Sequence, residues 1–136
     1  MFVRNESTAV VGCQFQTGQY NATTGAYTGN KYLVENTYLG VWIAIQLPIP
    51  IALTEWRFIR RKNRQPRAPR NVKIYASNNE NSWTTLQTIT GIAYTTDVYT
   101  NTGLSANTTP YLHYALIYKV IIGASTYTEL NLIEWR

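Results

Sequence analysis

This chain of 136 residues has one cysteine, one histidine, one methionine and only seven acidic residues. Each scarcity excludes something. A lone Cys13 cannot form an intrachain disulfide, so nothing in the sequence asks for an oxidising compartment. A nucleophilic cysteine would need a histidine partner, and His113 stands one hundred positions away in a run that reads as core strand, so both read as buried residues. One His, one Cys and one Asp provide no ligand spacing for zinc, and no metal ligand is assigned. The acids Glu6, Glu35, Glu55, Glu80, Asp97, Glu129 and Glu134 share no motif, so no catalytic residue is assigned and the chain reads as a non-enzyme. No apolar stretch approaches the roughly 18 residues of a membrane helix, and "MFVRNESTAV" lacks the apolar centre of a secretory signal. The expectation is a chain with no membrane span, in a reducing compartment or a virion.

What is abundant points to β-structure. Thr, Ile and Val are frequent, tyrosine alone contributes eleven residues, and no segment carries the 3.6-residue period of an amphipathic helix. Repeats and linkers are absent, so residues 1–136 read as one all-β domain. "VWIAIQL", Val41 to Leu47, is apolar on both faces, and Pro48 and Pro50 are expected to end it because proline cannot donate to a ladder. "IALTEWRFIRR" reads as the next strand, Ile51 to Arg61. "NVKIYAS" carries Val72, Ile74 and Ala76 inward and Lys73 and Tyr75 outward, the period of a sheet with one wet face. The polar run "SNNEN" reads as a hairpin tip and "SWTTLQTI" as the returning strand. "YLHYALIYKVIIG", Tyr111 to Gly123, is the longest apolar run, and "TELNLIEW", Thr128 to Trp135, closes the set. Short strands divided by Gly, Asn, Pro and Thr clusters predict a jelly-roll β-sandwich with Trp42, Ile43, Ile45, Ile74, Leu116 and Val120 in its core.

The order of these pieces resembles the discoidin, or coagulation-factor type C, domains of the galactose-binding-like jelly rolls. The matching residues are Trp42, Ile43, Ile45 and Leu47; then Ile74, Ala76, Ser77, Asn78 and Asn79 followed by Trp83; then Tyr114, Leu116 and Tyr118; and Glu134 with Trp135. The resemblance spans residues 38–136 and looks most like variants in large DNA viruses and algae. Gln46 replaces the family's usual acid, Asn79 and Glu80 stand where Asp-Gly is common, and the disulfide of extracellular members is absent. The resemblance implies that Trp83 supports the hairpin tip. It also implies carbohydrate binding through loops at one end of the sandwich, with Tyr20, Asn21, Tyr27, Asn63 and Arg64 as candidate ligand residues. No cofactor is implied, although a structural calcium held by backbone oxygens, as in some relatives, would be sought in "TGQYNATTGAYTGN". The fucose-binding arrangement of His with two Arg is not matched, because His113 follows the arginines in a different element.

Charge is the sharpest local feature. "RFIRRKNRQPRAPRNVK", residues 57 to 73, holds eight of the twelve basic side chains and no acid, leaving four bases against seven acids elsewhere, a net charge of −3. Arg60, Arg61, Lys62, Arg64, Arg67 and Arg70 are the candidate partner-contact residues. Pro66 and Pro69 stiffen the segment, and guanidinium forks suit carboxylate, sulfate or phosphate. The expected partner is a glycan or an acidic protein surface. Nucleic acid is disfavoured because no aromatic residue is interleaved with the arginines. The alternative function is structural: a minor capsid or fibre component of a large DNA virus, its arginine loop gripping viral capsid proteins. The plain reading of the same segment is a solvated loop.

Overall fold

The computed structural model describes residues 2–4, 13–14, 20–29, 39–60, 65–94, 98–101, 103–123 and 129–135. They form β1 (Phe2–Arg4), β2 (Cys13–Gln14), β3 (Val41–Ile51), β4 (Trp56–Arg60), β5 (Pro69–Ser77), β6 (Thr84–Ile89), β7 (Val98–Asn101), β8 (Tyr111–Ile121) and β9 (Glu129–Trp135). Single turns of 3-10 helix cover Gln65–Arg67 and Gly103–Ala106. Two sheets result, one of five strands in the order β1-β3-β8-β5-β6 and one of four in the order β2-β9-β4-β7. Every strand pairing is antiparallel, which gives the sandwich that the strand pattern predicted. Among the described residues no helix is long and apolar enough to cross a membrane.

Alternation along the strands fills the space between the sheets. Val41 and Ile43 from β3, Trp56 and Phe58 from β4, Val72, Ile74 and Ala76 from β5, and Tyr114, Leu116 and Tyr118 from β8 are all fully buried in one cluster. Trp56 and Phe58 stack with ring centroids 5.4 Å apart, and the Trp56 Nε1–H donates to Gln87 Oε1 at 3.1 Å, so the largest core side chain keeps its polar atom paired.

Several expectations change. β3 continues through Pro48 and Pro50 to Ile51; the prolines lie where its pairing with β8 is interrupted, between Gln46 and Ile51, so no ladder donor is missed. The strand expected from Ile51 begins only at Trp56. Of the predicted core residues, Ile43, Ile74 and Leu116 are fully buried, whereas Ile45 and Val120 are half-buried. Trp42 points to the other face of the five-stranded sheet, where with Ala44 and Trp83 it packs against Tyr75, Ala115 and Ile117. That face is therefore not simply wet. Tyr75 is outward, as the alternation requires, yet only 3% exposed. β1, β2 and β7 were not anticipated: they are short, and adjacent polar residues hide their period.

Candidate functional site

β8 runs the length of the five-stranded sheet and defines the two ends of the molecule. Its N-terminal end meets Ser77 and Ile51, and its C-terminal end meets Val41 and Pro69. The described part of the arginine segment, Pro66–Arg70, enters β5 at the second of these ends, where the candidate ligand residues Tyr20, Asn21 and Tyr27 also lie.

A tight hairpin, residues 20–27, is built there from its own polar groups. Asn21 Oδ1 accepts the backbone N–H groups of Thr23 and Thr24, both at 2.9 Å, and Thr24 Oγ1 accepts that of Ala26 at 3.3 Å. This side-chain mimicry of a backbone turn is what Asn and Thr do in place of helix or ladder bonds. Gly25 has a φ of +69° and its N–H donates to Asn21 O at 2.8 Å. A Cβ at Gly25 would lie 2.1 Å from the carbonyl oxygen of Ile121, so glycine alone permits the hairpin to dock on β8. Docking uses the Tyr27 N–H to Lys119 O and the Ile121 N–H to Gly25 O, both at 2.9 Å.

The arginine segment approaches from the other side. The Ile122 N–H donates to Ala68 O and the Gly123 N–H to Pro66 O, each at 3.0 Å. Residues Ile121–Gly123 are thus gripped between the Asn21 hairpin and the Pro66–Ala68 turn. The resulting surface carries the exposed Asn21, Thr23 and Thr24, the half-buried Tyr27 and Arg67, the exposed Arg70 and the exposed Ile122.

The sequence candidates separate accordingly. Tyr20 belongs to the core: it is 2% exposed, and its hydroxyl donates to Tyr118 O at 2.9 Å, so its ring has no face left for a sugar. Tyr20 sits opposite Tyr27, against which it packs edge-on at 5.4 Å, and no local pattern in the sequence signals this burial. Asn21 and Tyr27 are on the surface and near each other, although the Asn21 amide oxygen is committed to the turn. Arg67 and Arg70 reach the same end. Arg60 is the last residue of β4, whereas Arg61, Lys62, Asn63 and Arg64 lie outside the described residues. Ile122, near the end of the longest apolar run of the sequence, is exposed at this end, and the run gives no sign of that. Among the described residues no three His, Cys, Asp or Glu side chains cluster as a metal site.

The opposite end is the "SNNEN" hairpin. Ser77 Oγ accepts the N–H groups of Asn79 (3.1 Å) and Glu80 (2.9 Å), and Asn79 Oδ1 accepts those of Asn81 and Ser82, both at 3.0 Å. Glu80 takes the position usually given to glycine, with a φ of +61°, and its Oε1 lies 3.0 Å from His113 Nδ1. The Trp83 Nε1–H donates to Glu80 O at 2.9 Å, and its ring stands edge-on to His113. Trp83 is therefore fastened to the tip.

No protein-family model and no curated protein matches this chain. Solved structures do. A family 32 carbohydrate-binding module from Clostridium perfringens, in complex with GalNAc-β-1,3-galactose, superposes with a TM-score of 0.60 at 12% identity over 71% of this chain and 66% of its own. The family 32 module of C. perfringens NanJ, in complex with galactose, matches 99% of this chain and 91% of its own length at 15% identity and a TM-score of 0.57. The F5/8 type C domain of a Bacteroides fragilis protein gives 0.55 at 15% identity, over 77% of this chain and 69% of its own. The chain has the fold of these domains, a galactose-binding-like β-sandwich, as the discoidin resemblance implied. The capsid alternative draws no support from these structures.

Proposed function

We propose that this protein is a non-catalytic glycan-binding module that holds a galactose- or GalNAc-type sugar at the end of the sandwich formed by the Asn21 hairpin, Ile121–Gly123 and Pro66–Arg70. The observation that carries the reading is the convergence of these three distant segments around the C-terminal end of β8. The solved structures with this fold that hold galactose or GalNAc-β-1,3-galactose support it.

The chemistry suits a sugar. Pyranose rings present C–H groups on one face and hydroxyls around the rim, so a site needs some apolar surface and a few oriented polar groups. Ile122 and Tyr27 offer the apolar part; Thr23, Thr24, Arg67 and Arg70 offer donors and acceptors. Arg67 and Arg70 at this end favour glycans that also carry sulfate or carboxylate, since guanidinium groups bind such oxyanions through paired donors.

Titration calorimetry with GalNAc-β-1,3-galactose, and with its sulfated form, tests the proposal. Saturable binding that falls at least tenfold in Tyr27→Ala and in the Arg67→Gln/Arg70→Gln double variant is expected. The sulfated ligand should lose affinity steeply between low salt and about 0.15 M, where the screening length is about 8 Å. Binding that neither variant weakens would place the sugar elsewhere and end the reading.

A further inference from the structure

A second polar cleft lies at the other end of the molecule, far from the surface just described. It has a volume of about 260 Å³ and lies between the edge strand β6 and the connection from β7 to β8. β8 separates the two places: Tyr111 lines the cleft and Ile121 belongs to the first surface, ten residues or roughly 34 Å along an antiparallel strand.

We propose that this cleft is a second binding site, for a single uncharged sugar ring. Three features carry the inference. Among the described residues the lining carries no charge: Thr85, Thr108, Thr109 and Asn107 supply hydroxyl and amide groups, and Leu86, Leu104 and Tyr111 supply apolar and aromatic surface. That mixture of hydroxyl, amide and apolar groups matches a neutral polyhydroxylated ring. The volume falls just under the roughly 300 Å³ at which pockets for drug-sized ligands begin, which suits one ring and not a chain buried along its length.

The third feature is that the wall is set before any ligand arrives. The Asn107 side-chain amide donates to Leu53 O (3.3 Å) and toward the Tyr114 hydroxyl (3.5 Å), and its oxygen accepts the Thr109 N–H at 3.2 Å. The Tyr114 hydroxyl in turn donates to Ile51 O at 2.6 Å and accepts the Leu53 N–H at 3.1 Å. Tyr111 stands edge-on to the Tyr114 ring at 6.0 Å. One network thus holds Thr109 and Tyr111 in place, so binding would not have to order them. Thr85, Thr108 and Thr109 are nevertheless on exposed residues, available from solvent.

The test is a two-dimensional amide NMR titration of the whole chain with four neutral sugars: GalNAc, methyl β-galactoside, methyl α-glucoside and methyl α-mannoside. At least one should give saturable shifts at Thr85, Leu86 and Asn107 to Tyr111. Ala106→Trp, an exposed residue on the cleft rim, should fill the space and weaken that binding at least tenfold without touching the Tyr111–Tyr114 packing. Thr109→Val, which removes one hydroxyl, should weaken it severalfold. If no sugar in the panel moves these signals, or if Ala106→Trp binds as the parent does, the site does not exist. Shifts confined to Asn21–Gly25 and Arg67–Arg70 would sink this second site while leaving the first in place. Shifts at the cleft alone would do the reverse.

Discussion

At the hairpin end Ser77 and Asn79 each hold two backbone N–H groups, all within six residues of chain. At the opposite end the Asn21 hairpin and the Pro66–Ala68 turn are held to residues 119–123 of β8 and its exit, more than fifty positions away in sequence. The first end closes its turn with local polar side chains and is then tied to β8, where Asn78 Oδ1 accepts the Leu112 N–H at 2.9 Å and Glu80 Oε1 lies 3.0 Å from His113 Nδ1. The second exists only when the sheet exists, since its partners are the backbone groups at one strand's end. A surface of this second kind can bring together residues of different character, here threonines, an isoleucine and arginines, that no local motif would place side by side.

Substitutions can sharpen or break this contrast. The largest effect is expected from Gly25→Ala. A left-handed residue with a Cβ costs about 1–2 kcal/mol, and forcing the Cβ against the Ile121 carbonyl adds about 1–3 kcal/mol. Urea unfolding should show the loss, and hydrogen exchange should show the Tyr27 and Ile121 amides losing protection while Asn79 to Ser82 are unaffected. Equal loss at both ends would mean that they are not independent.

Next comes Ser77→Ala at the hairpin end. It removes the acceptor for two N–H groups at a buried position and should cost about 1–3 kcal/mol, with exchange speeding up at Asn79 and Glu80 and not at Tyr27. Asn21→Ala removes the same kind of acceptor, but from an exposed turn where water can replace it, so about 0.5–1 kcal/mol is expected. A loss as large as that of Ser77→Ala would contradict the role given to burial. Glu80→Gly should matter least. Relief of a left-handed residue, worth about 1–2 kcal/mol, is offset by about 0.5–1 kcal/mol of glycine entropy and by loss of the His113 contact, leaving a net change of under about 1 kcal/mol by urea unfolding.

The parts legible in the sequence were those decided by neighbouring residues. The alternation in "NVKIYAS" placed Val72, Ile74 and Ala76 between the sheets, and "SNNEN" is a turn because Ser77 and Asn79 can cap it themselves. Trp42 was misplaced because a strand apolar on both faces does not say which face meets the other sheet. Tyr20 was misread for a related reason: its neighbours are loop-forming, and only contact with Tyr27 and Tyr118 puts it inside.

The sequence by itself therefore determined the class of fold, the tip that Ser77 and Asn79 close, the concentration of arginine between residues 57 and 73, and the lack of a disulfide. These follow from side-chain period, local hydrogen bonding, charge and cysteine count, none of which needs a distant partner. Tertiary structure decided which residues share a surface. Gly25, Ala68 and Ile122 meet because antiparallel pairing brings the end of β8 beside two turns, and Thr85, Asn107 and Tyr111 line one cleft because the β7 to β8 connection crosses the edge of β6. The physical reason is that backbone hydrogen bonds between remote segments depend on register, and register is settled by burying whole faces of strands, not by any short motif.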